Sequence, residues 1–274
     1  MRPTRHILSL SGGKDSAALA VYMRDKVANM EYIFHDTEME LPETYEYLAR
    51  LEAYLGKPIH KTRPDVSFEG WLDVFQGMIP SNHRRWCTKL LKLKPFESYV
   101  GDDKVINYVG LRADEEREGY ISGKSNIHAV YPFREAGLVR EDIVRILEES
   151  GLGMPTYTTW GRTRSGCFFC FYQQKIEWVR LKETHPDLFE RAKEFEFAQM
   201  RERYSRQGSL NPFYWSGDEP LSELEKPARM EEIKAKFQKS REKLRITSNK
   251  LVQILGNAES DDDEEREGCL ICQI

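Results

Sequence analysis

A doubly wound α/β sheet, its strands mostly parallel, with a helical C-terminal extension, is the architecture this 274-residue sequence predicts. Short apolar runs alternate with segments of helical period through the first 112 residues, the pattern of parallel strands covered by helices on both faces. A glycine turn links the first apolar run to the first helical segment, and beyond residue 130 the strand signal fades while the helical period persists. Sheets of this kind place ligands beyond the carboxyl ends of their strands, so polar motifs at those ends carry the functional expectations.

The first strand is expected over His6–Leu10 and the first helix over the alanine-rich Asp15–Asp25. A second strand falls at Tyr32–Phe34, followed by a helix over Pro42–Leu55 with proline in its first turn, where the missing N–H costs nothing. Pro58–Ile59 reads as a third strand, Phe68–Phe75 and Thr88–Tyr99 as helices, and Val105–Val109 as a further strand. Arg140–Glu149 and Lys175–Tyr204 read as helices, the second broken near His185-Pro186, and Gly208–Pro220 as an aromatic-bearing loop. The expected organisation is an α/β domain over 1–130, a mainly helical extension over 131–250 and an acidic flexible tail over 251–274.

With 40% apolar and 31% charged residues, the composition is that of a globular chain, and no apolar stretch approaches the ~18 residues of a membrane helix. Met1 to His6 leads straight into the first strand, so neither an export signal nor a membrane is expected, and the cytoplasm is the expected location. Five cysteines, two Cys-x-x-Cys pairs and one single, do not make an even disulfide set and predict reduced thiols for metal or sulfur chemistry. The net charge of −4 is uneven: residues 259–267 carry seven acids and one base, which leaves +2 on the rest. Such a run cannot bury surface and reads as a linker. Residues 229–250 hold eight bases against three acids, a solvated helix face or a nucleic-acid contact.

Ser9-Leu10-Ser11-Gly12-Gly13-Lys14-Asp15-Ser16 passes from strand through glycines to a helix N-terminus. Bare N–H groups and the positive end of the helix dipole make that arrangement an anion site, and the serine hydroxyls add donors. The expected contacts to phosphate are Ser9, Ser11, Gly12, Gly13 and Ser16, with Lys14 screening charge. Asp36, at the end of the second strand, is a candidate to hold Mg²⁺ or water near the phosphates; the alternative is a turn acid. Arg112, after the strand at 105–109, would reach the phosphates as a planar fork. Cys87, Cys167 and Cys170 could supply three thiolates to a [4Fe–4S] cluster with one open iron, offset by Arg84, Arg85, Arg162 and Arg164. Zinc on Cys167, Cys170, Cys269 and Cys272, or plain redox-active thiols, are the competing readings. The terminal pair Cys269 and Cys272, on a tether, could carry a persulfide, add a ligand or dock a partner.

In unbroken order over residues 5–185 stand S-G-G-K-D-S, D-T-E-M-E-L-P-E-T-Y, W-C-T-K-L-L-K-L-K-P, G-L-R-A-D-E-E, Y-P-F-R-E-A and P-T-Y-T-T-W-G-R-T-R-S-G-C-F-F-C. This series resembles the phosphoadenosine phosphosulfate reductase-like branch of the PP-loop ATP pyrophosphatase superfamily, which has the adenine nucleotide α-hydrolase-like fold. Within that branch it looks most like DNA phosphorothioation sulfurtransferase subunits of the DndC and SspD type. The resemblance implies ATP and Mg²⁺ at the glycine loop, with Mg²⁺ near Asp15 and Asp36, and catalytic roles for Lys14, Asp15, Asp36 and Arg112. It further implies a [4Fe–4S] cluster on Cys87, Cys167 and Cys170, sulfur from a cysteine desulfurase, and a nucleic-acid acceptor, DNA above tRNA. Cluster-type sulfonucleotide reductases resemble C-C…C-x-x-C and end in Glu-Cys-Gly-Leu-His. Here Trp86-Cys87 stands for the first pair and the end reads Glu267-Gly268-Cys269-Leu270-Ile271-Cys272, departures that set a simple reductase second.

Overall fold

The computed structural model describes residues 3–116, 123–207 and 213–251, with main chain alone for 199–207 and 244–251. The described residues form two compact units, one ending at Phe168 and the other beginning at Phe169. The first unit is built on five parallel strands: β1 (Arg5–Leu10), β2 (Met30–His35), β3 (Ile59–Thr62), β4 (Val105–Tyr108) and β5 (Ile127–Val130). Their order in the sheet is β3-β2-β1-β4-β5. Winding starts at β1 and runs outward in both directions, so the topological switch point lies at the carboxyl ends of β1 and β4. This is the doubly wound α/β fold that the strand–helix alternation predicts.

Side-chain alternation along the strands sorts the core onto two faces. Leu8, Leu10, Tyr32 and Phe34 face a layer made by α1 (Lys14–Met23), α2 (Pro42–Leu55) and the later α7 (Arg140–Glu149), through Ala17, Leu48, Leu51, Ile143 and Leu147. Ile7, Ile33, Val105 and Ile127 face the other way, against Phe96 and Val100 of α5 (Lys94–Val100). Between these lie α3 (Phe68–Val74), the single turn α4 (Trp86–Thr88) and α6 (Pro132–Glu135). A π turn over Lys89–Leu93 joins α4 to α5, so the helix expected over Thr88–Tyr99 is present with one residue too many per turn inside it. Such turns concentrate at functional sites.

The second unit is helical: α8 (Lys175–Thr184), α9 (Pro186–Gln207), α10 (Leu221–Leu224) and α11 (Pro227–Leu251). The break at His185-Pro186 falls where proline forbids a continuous helix. Glu196 is buried and accepts the N–H groups of Trp215 and Leu221 at 2.8 Å each; burial raises its pKa to about 7. Trp215 stacks on Phe169 at 5.1 Å. Of the basic run at 229–250, Arg229 pairs with Glu219 and Glu232, and Lys234 with Glu183 and Glu231, which favours the solvated-face reading. No helix among the described residues is long and apolar enough to cross a membrane. The acidic run at 259–267, Cys269 and Cys272 lie outside the described residues.

Candidate functional site

At the carboxyl end of β1 the chain strips its side chains away. Gly12 adopts φ +73°, and a Cβ there would overlap the methyl of the fully buried Thr44. Gly13 is the N-cap of α1 with no side-chain cap, leaving the first-turn N–H groups for another acceptor. The hydroxyls around it are preorganised. Ser16 Oγ accepts from Ser11 N at 3.1 Å, donates to Gly13 O at 3.2 Å and lies 3.1 Å from Ser11 Oγ. Ser11 Oγ in turn accepts from Gly13 N at 3.3 Å. Ser11, Gly12, Gly13 and Ser16 therefore form one hydrogen-bonded, donor-rich loop. Ser9 does not join it: its side chain points into the buried sheet and donates to Asn107 Oδ1 at 3.5 Å. Alternation along β1 sends residue 9 to the face opposite Leu8 and Leu10, so its expected phosphate contact gives way to a structural one.

The loop after β4 closes on this cradle. A Cβ on Gly110 would stand 3.0 Å from Asp15 O and 3.3 Å from Ser16 N, so glycine permits the approach. Arg112 is buried and held by three carboxylates: Nη1 donates to Asp15 Oδ1 at 2.9 Å, Nε to Asp114 Oδ1 at 2.9 Å, and Glu115 Oε1 lies at 3.5 Å. Burial alone would lower its pKa, but Asp15 and Asp114 raise it further than burial depresses it. Lys14 Nζ lies 3.5 Å from Asp15 Oδ2. Lys14, Asp15 and Arg112 are thus brought together, with Asp15 bridging two cations at the helix start.

Asp36, Thr37 and Glu40 are buried together at the end of β2. Asp36 Oδ1 accepts from Tyr45 OH at 2.7 Å and from Glu38 N at 3.0 Å, the latter in a turn where Glu38 has φ +62°. Asp36 Oδ2 lies 3.9 Å from Arg63 Nε. Glu40 accepts from Thr37 Oγ1 at 2.7 Å and from Tyr45 OH at 3.2 Å. Burial raises its pKa, with the nearby charge of Lys92 opposing. His35 is buried beside Thr62 Oγ1 at 2.7 Å, and burial, aided by Lys92, lowers its pKa to about 3, so the ring is neutral at ordinary pH.

A strap from Pro155 to Phe168 connects the two strand ends. Tyr157, in the 3₁₀ turn Thr156–Trp160, donates to Gly12 O at 3.4 Å. Ser165 Oγ donates to Ser11 Oγ at 3.3 Å. Cys167 pairs with Glu40 in an isolated antiparallel bridge, and Phe168 N donates to Met39 O at 2.8 Å. Cys167 Sγ lies 3.3 Å from Thr37 Oγ1. Because the Thr37 hydroxyl hydrogen is given to Glu40, the thiol is the donor in that contact. Arg162, expected to offset cluster charge, is instead a buried clamp. Its Nε donates to Arg164 O at 3.0 Å, and Nη2 to Cys167 O at 2.8 Å and Gly166 O at 3.4 Å.

Cys87, Cys167 and Cys170 are not in disulfides, and each is partly buried. The boundary between the two units passes inside the Cys167-x-x-Cys170 motif. Among the described residues no group of three or more His, Cys, Asp or Glu side chains is assembled to hold a metal ion. The thiols have the softness that iron–sulfur chemistry requires.

A glycine loop rich in N–H groups and hydroxyls thus stands at a helix start, at the switch point of a doubly wound sheet. Residues 5–127 match the phosphoadenosine phosphosulfate reductase domain. The matched segment runs from β1 through β4 and ends at the first residue of β5. An uncharacterized protein of Methanocaldococcus jannaschii is 28% identical over 199 residues, spanning 68% of this chain and 40% of that protein. The adenosine 5′-phosphosulfate reductase of Staphylococcus haemolyticus is 27% identical over 110 residues, 40% of this chain and 45% of that one. A second M. jannaschii protein is matched over 45% of its length, so the chain spans under half of these relatives. Among solved structures, the phosphoadenylyl-sulfate reductase of Candida auris, a phosphate complex, aligns at 17% identity with a TM-score of 0.48, over 61% of this chain and 82% of that one.

Thr37, Glu40, Tyr45 and Ser165 escape sequence reasoning as site residues, and Arg162 is expected there only as a counter-charge. Thr37 and Glu40 follow closely on the end of β2, which is a usable signal, and Tyr45 lies near the start of α2. Ser165 reaches Ser11 from 154 positions away in sequence, so nothing near the glycine loop signals it.

Proposed function

We propose that the first unit binds ATP by its phosphates and splits it between the α- and β-phosphorus, activating an acceptor oxygen for replacement by sulfur. The observation that carries this is the cradle of Ser11, Gly12, Gly13 and Ser16 at the uncapped N-terminus of α1. Donors fixed there cost no reorganisation when negative charge builds on a leaving pyrophosphate. An acceptor oxygen attacks the α-phosphorus, and the P–O bond to pyrophosphate breaks. The adenylated oxygen then leaves as part of AMP when sulfur takes its place. Lys14 stands beside the cradle as a cation, and Arg112 fixes Asp15 at its rim. Asp15 and Asp36 offer the hard oxygen donors suited to Mg²⁺ and would hold it beside the phosphates, where it would offset their charge.

A nucleic-acid phosphate, DNA above tRNA, is the acceptor in this reading, with a cysteine desulfurase supplying sulfur. Support comes from residues 84–94, where Arg84, Arg85, Lys89, Lys92 and Lys94 stand with no acid, Lys89 and Lys94 exposed. Such a stretch suits a polyanion. Incubation with α-labelled ATP and acceptor tests the proposal: AMP and pyrophosphate are expected, and ADP with inorganic phosphate would refute it. Iron analysis of anaerobically purified protein, beside Cys87→Ala, tests the cluster separately.

The match to the reductase domain favours a second reading, reduction of a sulfonucleotide. The same cradle would take the phosphosulfate of adenylyl sulfate or its 3′-phosphorylated form. Release of sulfite from either compound with thioredoxin would favour this reading over ATP cleavage.

A further inference from the structure

Ser165 stands where neither the glycine loop nor the strand ends supply a residue. Its hydroxyl is 3.3 Å from Ser11 Oγ, and only 2.8 Å from the place a Cβ on Gly13 would occupy. It therefore hangs over the bare backbone at the start of α1. A hydroxyl there is a donor facing into a set of donors, the composition an anion requires. Two residues on, the same strap delivers Cys167 to Thr37 and Glu40. Arg162 binds the carbonyls of residues 164, 166 and 167 from within, so this stretch is braced as one piece.

We infer that Ser165 is a further ligand of the nucleotide phosphates, and that the strap 161–168 ties occupancy of the cradle to the placement of the Cys167 thiol. The inference rests on the nucleotide reading above and adds to it a residue outside the glycine loop. Phosphate bound at Ser11 and Gly13 would accept from the Ser165 hydroxyl, exchanging its bond to Ser11 for a charge-assisted one. Through Arg162, the hold on residue 165 becomes a hold on residue 167. Bound nucleotide would then tighten a strap that already keeps the thiol beside Thr37.

The test is ATP affinity by equilibrium titration, together with hydrogen exchange of the main chain at 161–168. For Ser165→Ala the dissociation constant rises about 10- to 100-fold, the range of a lost hydrogen bond to a charged group. Ser165→Thr, which keeps the hydroxyl, stays within about 3-fold of wild type by the same reasoning. Ser150→Ala, whose hydroxyl caps the end of α7 at Leu147 O, leaves affinity unchanged. In wild type, ATP slows exchange across 161–168; in Ser165→Ala it slows exchange at the start of α1 but not across the strap. Equal weakening by Ala and Thr, unchanged affinity in Ser165→Ala, or faster strap exchange on binding would each overturn the inference and leave the nucleotide reading standing. Failure of the wild type to bind ATP would overturn both.

Discussion

The carboxyl ends of β1 and β2 lie side by side on the same edge of one sheet and are built on opposite principles. At the end of β1 the chain removes side chains and exposes N–H groups, so the local charge is positive and an anion is invited. At the end of β2 it buries Asp36 and Glu40 under Tyr45 and Thr37 and surrounds them with donors. The first strand end presents donors, whereas at the second Asp36 and Glu40 meet donors of the chain itself. Binding is therefore expected to depend steeply on the first, and the pH response on the second, with the strap at 155–168 as the link between them.

The largest effect should come from the residue that fastens β4 to the cradle. Arg112→Ala leaves Asp15, Asp114 and Glu115 without their shared cation in a buried place, and should cost about 3–5 kcal/mol of stability in urea denaturation. Arg112→Lys, one point charge against three carboxylates, should fall between it and wild type. Next, Gly12→Ala must overlap Thr44 and should weaken ATP binding about 100-fold or more, since misplacement at a preorganised site is heavily penalised. Gly151 has the same φ of +73° but nothing within 4 Å of its Cβ position. Gly151→Ala should therefore carry the strain of about 1 kcal/mol and leave binding intact. A comparable loss of binding in both would show that backbone strain, not the cradle's shape, is being measured.

The second strand end should answer to pH. His35 has a folded pKa near 3 because of burial, against an unfolded value of about 6.5. The unfolded chain binds more protons between these values, so stability present above pH 6.5 is lost as pH falls toward 3. At pH 5 the loss attributable to His35 is roughly 2 kcal/mol, and His35→Gln should flatten that part of the stability–pH curve. Glu40 has the opposite sign. Its raised pKa means stability is greatest below its unfolded value and declines as pH rises through the folded one. Glu40→Gln keeps an acceptor for Thr37 and should change stability at pH 7 by under about 1 kcal/mol, the smallest of these effects.

The first strand end was open to sequence reasoning because its chemistry is local. Strand, glycines and helix start are consecutive, and Ser11 to Ser16 appear in the structure as their order implies. Ser9 is the exception, because an i, i+2 alternation set by Leu8 and Leu10 decides where its hydroxyl points. At the second strand end Asp36 was visible, but Glu40 and Tyr45 become partners only once the turn at Glu38 folds back. β3 extends from the expected Ile59 through His60, Lys61 and Thr62, an edge strand whose exposed residues need not be apolar. β5, Ile127-His128-Ala129-Val130, is four residues long and too short to show a period. The π turn at Lys89–Leu93 is hidden for a different reason: one extra residue shifts the helical period without destroying it. Ser165 meets Ser11 across 154 positions of sequence, which no local pattern encodes.

Competition binding of ATP, pyrophosphate and adenosine to the wild-type chain probes the β1 cradle most directly. Pyrophosphate should displace ATP, adenosine should bind far more weakly than either, and Gly12→Ala should lose the pyrophosphate affinity along with that for ATP. Adenosine binding as tightly as ATP, with pyrophosphate unable to compete, would mean that the bare loop at the end of β1 does not hold phosphate.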